Sequence, residues 1–257
     1  MRIARAIVRQ PGSGLAGGLT TATFGPPDLA LARHQHRAYV EALEAAGVAV
    51  TTLPPLDDFP DSVFVEDVAV CTPHCAVVTR PGAPSRQGEA AHIEAALRDH
   101  YEAVARIEAP GRLDGGDVLE VGDHYVVGLT DRTDAEGARQ LIAILERHGL
   151  SGETLPVQGM LHLKSGVAWL GDDLLLLQPA LAEDPAFRGY DKILLAADEA
   201  YAANAVVVND RVLMATGHPK TGRAIENAGL STVALDVSEF RKLDGGLSCL
   251  SLRLAVA

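Results

Sequence analysis

Cysteine is scarce in this chain. Three residues, Cys71, Cys75 and Cys249, occur among 257, and an odd count without framework spacing makes reduced thiols in a reducing compartment the expectation. Long apolar runs are lacking too: "ILLAA" and "LLLLQPALA" fall well short of the ~20 residues that span a bilayer. The opening "MRIARAIVRQPGSG" carries neither the apolar core nor the cleavage site of a secretory signal. Basic residues are in deficit, 22 Lys and Arg against 34 Asp and Glu for a net charge of −12. A phosphate-tracking surface needs clustered cations, so nucleic acid is not an expected partner. Together these lacks describe a cytoplasmic, enzyme-sized chain without a membrane partner, whose surplus carboxylates suit a cationic small substrate.

No metal or other cofactor is expected. Cys71, His74 and Cys75 lie together in "CTPHC", but one short loop supplies at most three ligands and no matching Cys or His pair completes a set. The two cysteines read instead as a buried pair at strand ends.

What is present is repetition. Short β runs recur in "SVFVEDVAVCTPHCAVVTRPG", "LDGGDVLEVGDHYVVGLTDRT", "LKSGVAWLGDDLLLLQPA", "ANAVVVNDRVLMATGH" and "LDGGLSCLSLRLAVA". Most read as two strands joined at "VGDH", "LGDD" or "VNDR", which hold the Gly, Asn and Asp that tight turns favour. Between them, "QHRAYVEALEAAG", "GEAAHIEAALRDHY" and "AEGARQLIAILERHG" show helical apolar spacing. The strand–turn–strand–helix unit returns about every 40 to 50 residues, the period of propeller-like repeats. Pairing "MRIARAIVRQ" with the C-terminal run gives five units and a closed ring without free sheet edges. An α/β sandwich of irregular order is the alternative. With 47% hydrophobic residues, residues 1–257 are ample for one large domain.

A ring would aim equivalent turns into one central cavity. The stem "LDGG" occurs twice, at Leu113–Gly116 and Leu243–Gly246, and paired glycines permit backbone conformations closed to other residues. Cys249 follows the second copy and is the candidate soft nucleophile, active as its thiolate. His162 in "GMLHLKSG" holds an equivalent position and is the candidate base and acid, while His34, His36, His92, His100 and His148 read as helix-face residues. Asp61, Glu66, Asp67, Asp114, Asp117 and Asp244 cluster at the same repeat position. Carboxylates sharing one cavity repel unless a cation sits among them, and a planar guanidinium held by bidentate contacts fits that need. Arg86 and Arg132 follow the strands of the first two units and suit a substrate carboxylate.

"FVEDVAV" with "RPGAPSR", "LDGGDVL" with "VGLTDRT", "LHLKS" and "DGGLSC" together resemble the dimethylarginine dimethylaminohydrolases, or dimethylargininases, of the guanidino-modifying superfamily. The match runs in order from about Arg9 to the C-terminus. The resemblance implies a five-bladed α/β propeller (pentein) with a central active-site cavity. It implies hydrolysis of asymmetric dimethylarginine and monomethylarginine to citrulline through a thiouronium on a C-terminal cysteine. Carried over by motif, Cys249 attacks, His162 acts as acid and base, and Glu66, Asp67 and Asp114 hold the guanidinium and orient His162. Asp61, Arg86, Arg132 and Asp244, with the backbone of Leu19 and Leu243, grip the amino-acid end of the small-molecule substrate. "PGSGLAGGLTTATFG" becomes a lid, and a homodimer is an open assembly. The rivals are an arginine deiminase or amidinotransferase on the same scaffold, and a non-catalytic propeller such as a ribosome anti-association factor.

Overall fold

The computed structural model describes residues 2–256. Strand β1 (Arg2–Arg9) is followed by helix α1 (Leu29–Ala45) and by β2 (Ala49–Leu53), which runs parallel to β1. The Asp28 carboxylate accepts from the Leu31 N–H to start α1, and Gly47 at φ +81° ends it, the two-ended capping expected of an isolated helix start and stop. Strands β3 (Ala69–Cys71) and β4 (Ala76–Val78) form an antiparallel pair, and β5 (Val104–Arg106) adds in parallel after the short helix α2 (Glu94–Arg98). The same order holds for β6 (Val118–Val121), β7 (His124–Leu129), α3 (Ala135–Arg147) and β8 (Ser151–Pro156). Strands β9 (Val167–Gly171) and β10 (Leu174–Leu177) reach β11 (Asp191–Leu194) through two short 3₁₀ turns in place of a helix, whereas the full order holds again for β12 (Val206–Val208), β13 (Arg211–Ala215), α4 (Pro219–Asn227) and β14 (Ser231–Leu235). Helix α5 (Ser238–Arg241) then leads to β15 (Leu252–Val256), which pairs antiparallel with β1. The result is an α/β fold of five three-stranded sheets, each an antiparallel pair plus one parallel strand.

Five apolar clusters join these sheets in succession. Ile7, Leu252 and Leu254 pack with Val68, Ala76 and Val78. Val70 and Val77 pack with Val118, Tyr125 and Val127. Leu119 and Val126 pack with Val167, Leu175 and Leu177, and Ala168 and Leu176 with Val212 and Met214. The fifth cluster returns from Val206, Val208 and Leu213 to Ala6 and Val8. The inner, antiparallel strands therefore bury one face toward one neighbouring sheet and the other face toward the next, which is why "LLLL" in β10 shows no alternation, whereas the outer parallel strands such as β2 and β14 stay half-buried or exposed.

Two expectations are corrected. "GEAAHIEAALRDHY" is not one α-helix: a 3₁₀ run at Pro84–His92 precedes the five-residue α2. In 3₁₀ geometry side chains three apart eclipse, and this stacks buried Arg86 on Glu89 at 2.8 Å. The two "LDGG" stems are also different turns. Asp114 is extended at φ −102°, whereas Asp244 itself takes the left-handed φ of +57°. None of the four glycines has a positive φ, and they are required by close approach. A Cβ on Gly115 would sit 2.0 Å from the Glu66 carbonyl oxygen, and one on Gly245 2.3 Å from the Phe64 ring.

Candidate active site

Four of the five antiparallel pairs, and the terminal strand β15, are entered through a tight turn that carries polar side chains. These turns lie at Val65–Val68, Gly115–Asp117, Leu163–Ser165, Ala197–Ala203 and Ser248–Leu250. They deliver Glu66 and Asp67; Asp114 and Asp117; His162 and Lys164; Tyr201 and Asn204; and Ser248 and Cys249. A 3₁₀ turn leaves its end groups unpaired, and here several backbone N–H groups are taken by side chains of the preceding turn. Gly116 N donates to Asp67 Oδ1 at 3.0 Å and Leu163 N to Asp117 Oδ1 at 2.9 Å.

His162 is buried and its Nε2 lies 2.9 Å from Asp114 Oδ2 and 3.9 Å from Asp67 Oδ1. Asp114 is therefore its hydrogen-bonding partner, and Asp67 acts across a longer gap. Burial alone would lower the imidazole pKa, but the Asp67 charge, the Asp114 hydrogen bond and the Asp117 charge outweigh it and lift the value to about 9. The ring is an imidazolium at neutral pH. The ligating atoms of Asp67, Asp114 and His162 all lie within 4.8 Å of one another, and the imidazolium supplies the cation that this carboxylate pair needs. The Asp114 Oδ1 atom is fixed in turn by the Gly82 N–H at 2.7 Å.

Cys249 and His162 line both of two adjoining small cavities, together with Asp244 and Gly245. The Cys249 thiol is pushed up to about 12 by burial and by the Glu66 and Asp67 charges, against the Gly246 N–H and Lys164. Without a ligand the pair rests as neutral thiol and imidazolium. Leu19, Asp61, Asp67, Arg86, Asp114, Arg132 and Leu243 complete the wall of one cavity, so the eleven residues to which the resemblance gives roles converge once Glu66, on the wall of the other, is included, while Asp117 lines neither and is held by Thr130, Thr133 and the Leu163 N–H.

Their availability differs. Glu66 is committed: Oε1 accepts from Lys164 Nζ and Arg253 Nη2, each at 2.7 Å, and Oε2 accepts from Ser248 Oγ at 2.7 Å. Burial would raise its pKa, and the two cations instead hold it below the usual range. Glu66, Lys164 and Ser248 also line a cavity of about 440 Å³ on the side away from His162, so they partition the two spaces. Arg86 is buried with Asp67 and Glu89 and donates also to the Asp61 and Phe64 carbonyls. One Nη1 proton of its five donors stays without a partner among the described residues. The Arg132 side chain makes no hydrogen bond or ion pair among the described residues, and its charge lowers the proton affinity of Asp61 against a larger effect of burial.

The segment 11–25 lies over this site. Leu19 N donates to Asp61 Oδ1 at 3.0 Å, and Thr21 N and Oγ1 donate to Asp244 Oδ2 at 2.6 and 3.0 Å. The Arg241 guanidinium is sandwiched between the Phe24 and Tyr201 rings, 5.3 and 4.5 Å from their centroids. Sequence reasoning missed Lys164, Ser248 and Arg253 as partners of Glu66, and Glu89 as partner of Arg86. The proximity of Ser248 to Cys249 was the only available signal. Cys71 and Cys75 stand at the end of β3 and just before β4; Cys75 is buried, and burial pushes the Cys71 thiol up to about 12. His36 lies on the buried face of α1, and burial takes its pKa down to about 4.

Comparison with known proteins agrees with this geometry. The arginine deiminase family model matches residues 32–188. The N(G),N(G)-dimethylarginine dimethylaminohydrolase of Pseudomonas aeruginosa is 48% identical over 248 residues, covering 96% of this chain and 98% of that protein. A structure of the Pseudomonas aeruginosa enzyme as a C249S mutant complexed with citrulline superposes with a TM-score of 0.97 at 47% identity, covering 99% of this chain and 100% of the other. A dimethylarginine dimethylaminohydrolase H162G adduct with S-methyl-L-thiocitrulline superposes at 0.96, with 47% identity and coverage of 98% and 100%. With a carboxylate-held imidazolium beside a half-buried thiol and relatives this similar along their whole length, the chain belongs to the dimethylarginine dimethylaminohydrolase family of the arginine deiminase superfamily.

Proposed function

We propose that this chain hydrolyses asymmetric dimethylarginine and monomethylarginine to L-citrulline, releasing dimethylamine or methylamine. The observation that carries the reading is the Asp114–His162 pair opening onto the same cavities as Cys249. The five sheets, with apolar clusters that run from each to the next and back to the first, support a five-bladed propeller acting as one catalytic domain over residues 1–257. A nucleophilic thiol works in a reducing compartment, which makes the cytoplasm its proposed location.

In this reading Asp67 faces the substrate guanidinium and Asp244 stays with the amino-acid end; the guanidinium charge favours the thiolate, and the thiol proton passes to bulk water as the substrate binds. Cys249 Sγ bonds to the guanidinium carbon. His162 gives its proton to the departing nitrogen as the C–N bond breaks, because an amine leaves far better neutral than as an anion. A cationic thiouronium remains. Neutral His162 then takes a proton from water as the oxygen adds to the same carbon; the C–S bond breaks with the hydroxyl proton passing to the sulfur, which releases the ureido product and restores the thiol and imidazolium. Arg132, and the remaining Nη1 proton of Arg86, take the substrate carboxylate, and Asp61 with the Leu19 and Leu243 backbone takes its amino group. The segment 11–25 is the lid: with Asp61 and Asp244 occupied by its own N–H groups, the adjoining cavities hold only ≈ 60 and ≈ 30 Å³, room for a few waters. An arginine-sized substrate enters when these bonds open.

The test is incubation of purified protein with dimethylarginine, methylarginine, arginine and agmatine, with measurement of ureido product and released amine. Citrulline and methylamines from the methylated arginines are expected. Ammonia from arginine as the dominant product would instead support the deiminase reading, and no ureido product from any of them would overturn both.

A further inference from the structure

The turn that carries Cys249 is held by two side chains of the cavity wall to which the proposed reaction assigns no step. Asn204 Oδ1 accepts from the Ser248 N–H at 2.9 Å, and Asn204 Nδ2 donates to Ser248 Oγ at 2.8 Å and to the Lys164 carbonyl at 3.0 Å. One amide thus grips the residue before Cys249 by both its backbone and its hydroxyl, and ties it to the turn that follows His162. Tyr201, three residues earlier, donates its hydroxyl to the Gly245 carbonyl at 2.7 Å. The fit is close: a Cβ on Gly246 would lie 2.4 Å from Asn204 Oδ1.

The grip continues electrostatically. With its Oγ accepting from Asn204, Ser248 is left to donate its own proton to Glu66 Oε2, and a hydroxyl has only one proton to give. Asn204 and the acceptor-only Glu66 carboxylate together fix the direction of the Ser248 hydroxyl, and Asn204 holds Ser248 where that donation damps the Glu66 charge beside the thiol. We propose that Asn204, assisted by Tyr201, is a positioning residue for Cys249: it fixes the attack geometry of the sulfur and the protonation equilibrium of the thiol through Ser248 and Glu66. Neither side chain needs to touch substrate for this. An ångström of misplacement at a nucleophile costs about a hundredfold in rate, so residues of this kind belong to the reaction as much as to the fold.

The turnover arm of the test rests on the hydrolase reading; the alkylation arm does not. Asn204→Ala should lower kcat by ~10- to 100-fold with KM within about threefold, the pattern of an interaction expressed in the transition state. The iodoacetamide alkylation profile of Cys249, its second-order rate between about pH 7 and 9 followed by peptide mapping without substrate, should fall ~3- to 10-fold at each pH as the less damped Glu66 disfavours the thiolate. Asn204→Asp fills the same space but loses both donors and adds a charge, so it should not restore kcat and should move the alkylation profile at least as far. Tyr201→Phe deletes one hydroxyl and carries the same test at about threefold in kcat if Asn204→Ala fails to fold. The inference is overturned if the folded variants keep kcat within twofold and the alkylation profile unchanged, if the loss falls on KM alone, or if Asn204→Asp behaves like the unaltered protein. Absence of ureido product from the unaltered protein would sink the hydrolase reading, and the alkylation comparison would still decide the role of Asn204.

Discussion

Asp114→Asn isolates one charge and one hydrogen bond at the buried imidazole. The gap between an ordinary 6.5 and about 9 for His162 corresponds to ~3 kcal/mol favouring the imidazolium. Burial works against that gap, and Asp67, Asp114 and Asp117 together create it. Asparagine keeps the volume but removes the charge from the atom 2.9 Å away. A hydrogen bond to a charged group contributes ~1.5–3 kcal/mol, so the imidazole should titrate about one to two pH units lower, while Asp67 at 3.9 Å keeps it above its ordinary value. The assay is a ¹⁵N-imidazole NMR titration assigned by difference against His162→Gln, with the pH dependence of kcat beside it. The alkaline limb should fall from about 9 to between ~7 and 8, because the acid form is what protonates the leaving amine. A titration within ~0.3 units of the unaltered protein would refute the assignment of Asp114 as the partner that sustains the imidazolium.

Cys249→Ser should cut turnover at least ~10³-fold, since a neutral hydroxyl replaces the soft nucleophile, while calorimetry should still detect citrulline binding. Unfolding free energy should decline as pH rises: His162 has a raised folded-state pKa, so its contribution is complete below 6.5 and is lost through about 9, by up to ~3 kcal/mol, and a His162→Gln protein should lack this component in urea titrations. Gly18→Ala would place a Cβ 2.8 Å from Asp61 Oδ1 and 3.1 Å from a Leu243 methyl, so the lid should sit ajar, with KM raised ~3- to 10-fold and faster proteolysis within residues 11–25. Gly116→Ala would put a Cβ 2.7 Å from His162 Nδ1 and 2.8 Å from Asp67 Oδ1; kcat should drop ~100-fold, readable by steady-state kinetics in a protein that still folds.

Local chemistry made much of the fold legible. The turns in "VGDH", "LGDD" and "VNDR" stand out because Gly122, Asp172 and Asn209 take positive φ values of 61°, 43° and 56°, which few residue types tolerate. α1 and α3 announce themselves through Asp28 and Asp134 at their starts and Gly47 and Gly149 after their ends. The repeat brought His162 forward from nine histidines, because turns equivalent in sequence are equivalent in space. What stayed hidden are pairings across the fold. Lys164, Ser248 and Arg253 meet Glu66 from 98, 182 and 187 positions away, and no local pattern encodes such a meeting. Glycine's two uses are likewise indistinguishable in a string: the "LDGG" pairs look like conformational glycines and are steric ones, a difference fixed by Glu66, Phe64 and Asn204 approaching from other turns.

The pairing of Arg2–Arg9 with Leu252–Val256 has a consequence for the order of folding. Contacts of such sequence separation form slowly because loop closure precedes any reward. Until β15 docks on β1, the carboxylates and imidazole can collect while Ser248 and Cys249 remain in a tethered, unseated segment. A chain caught at that stage would carry an assembled carboxylate cluster without an anchored sulfur. On dilution from denaturant, activity should therefore return in step with docking of β15 rather than with the earlier recovery of secondary structure.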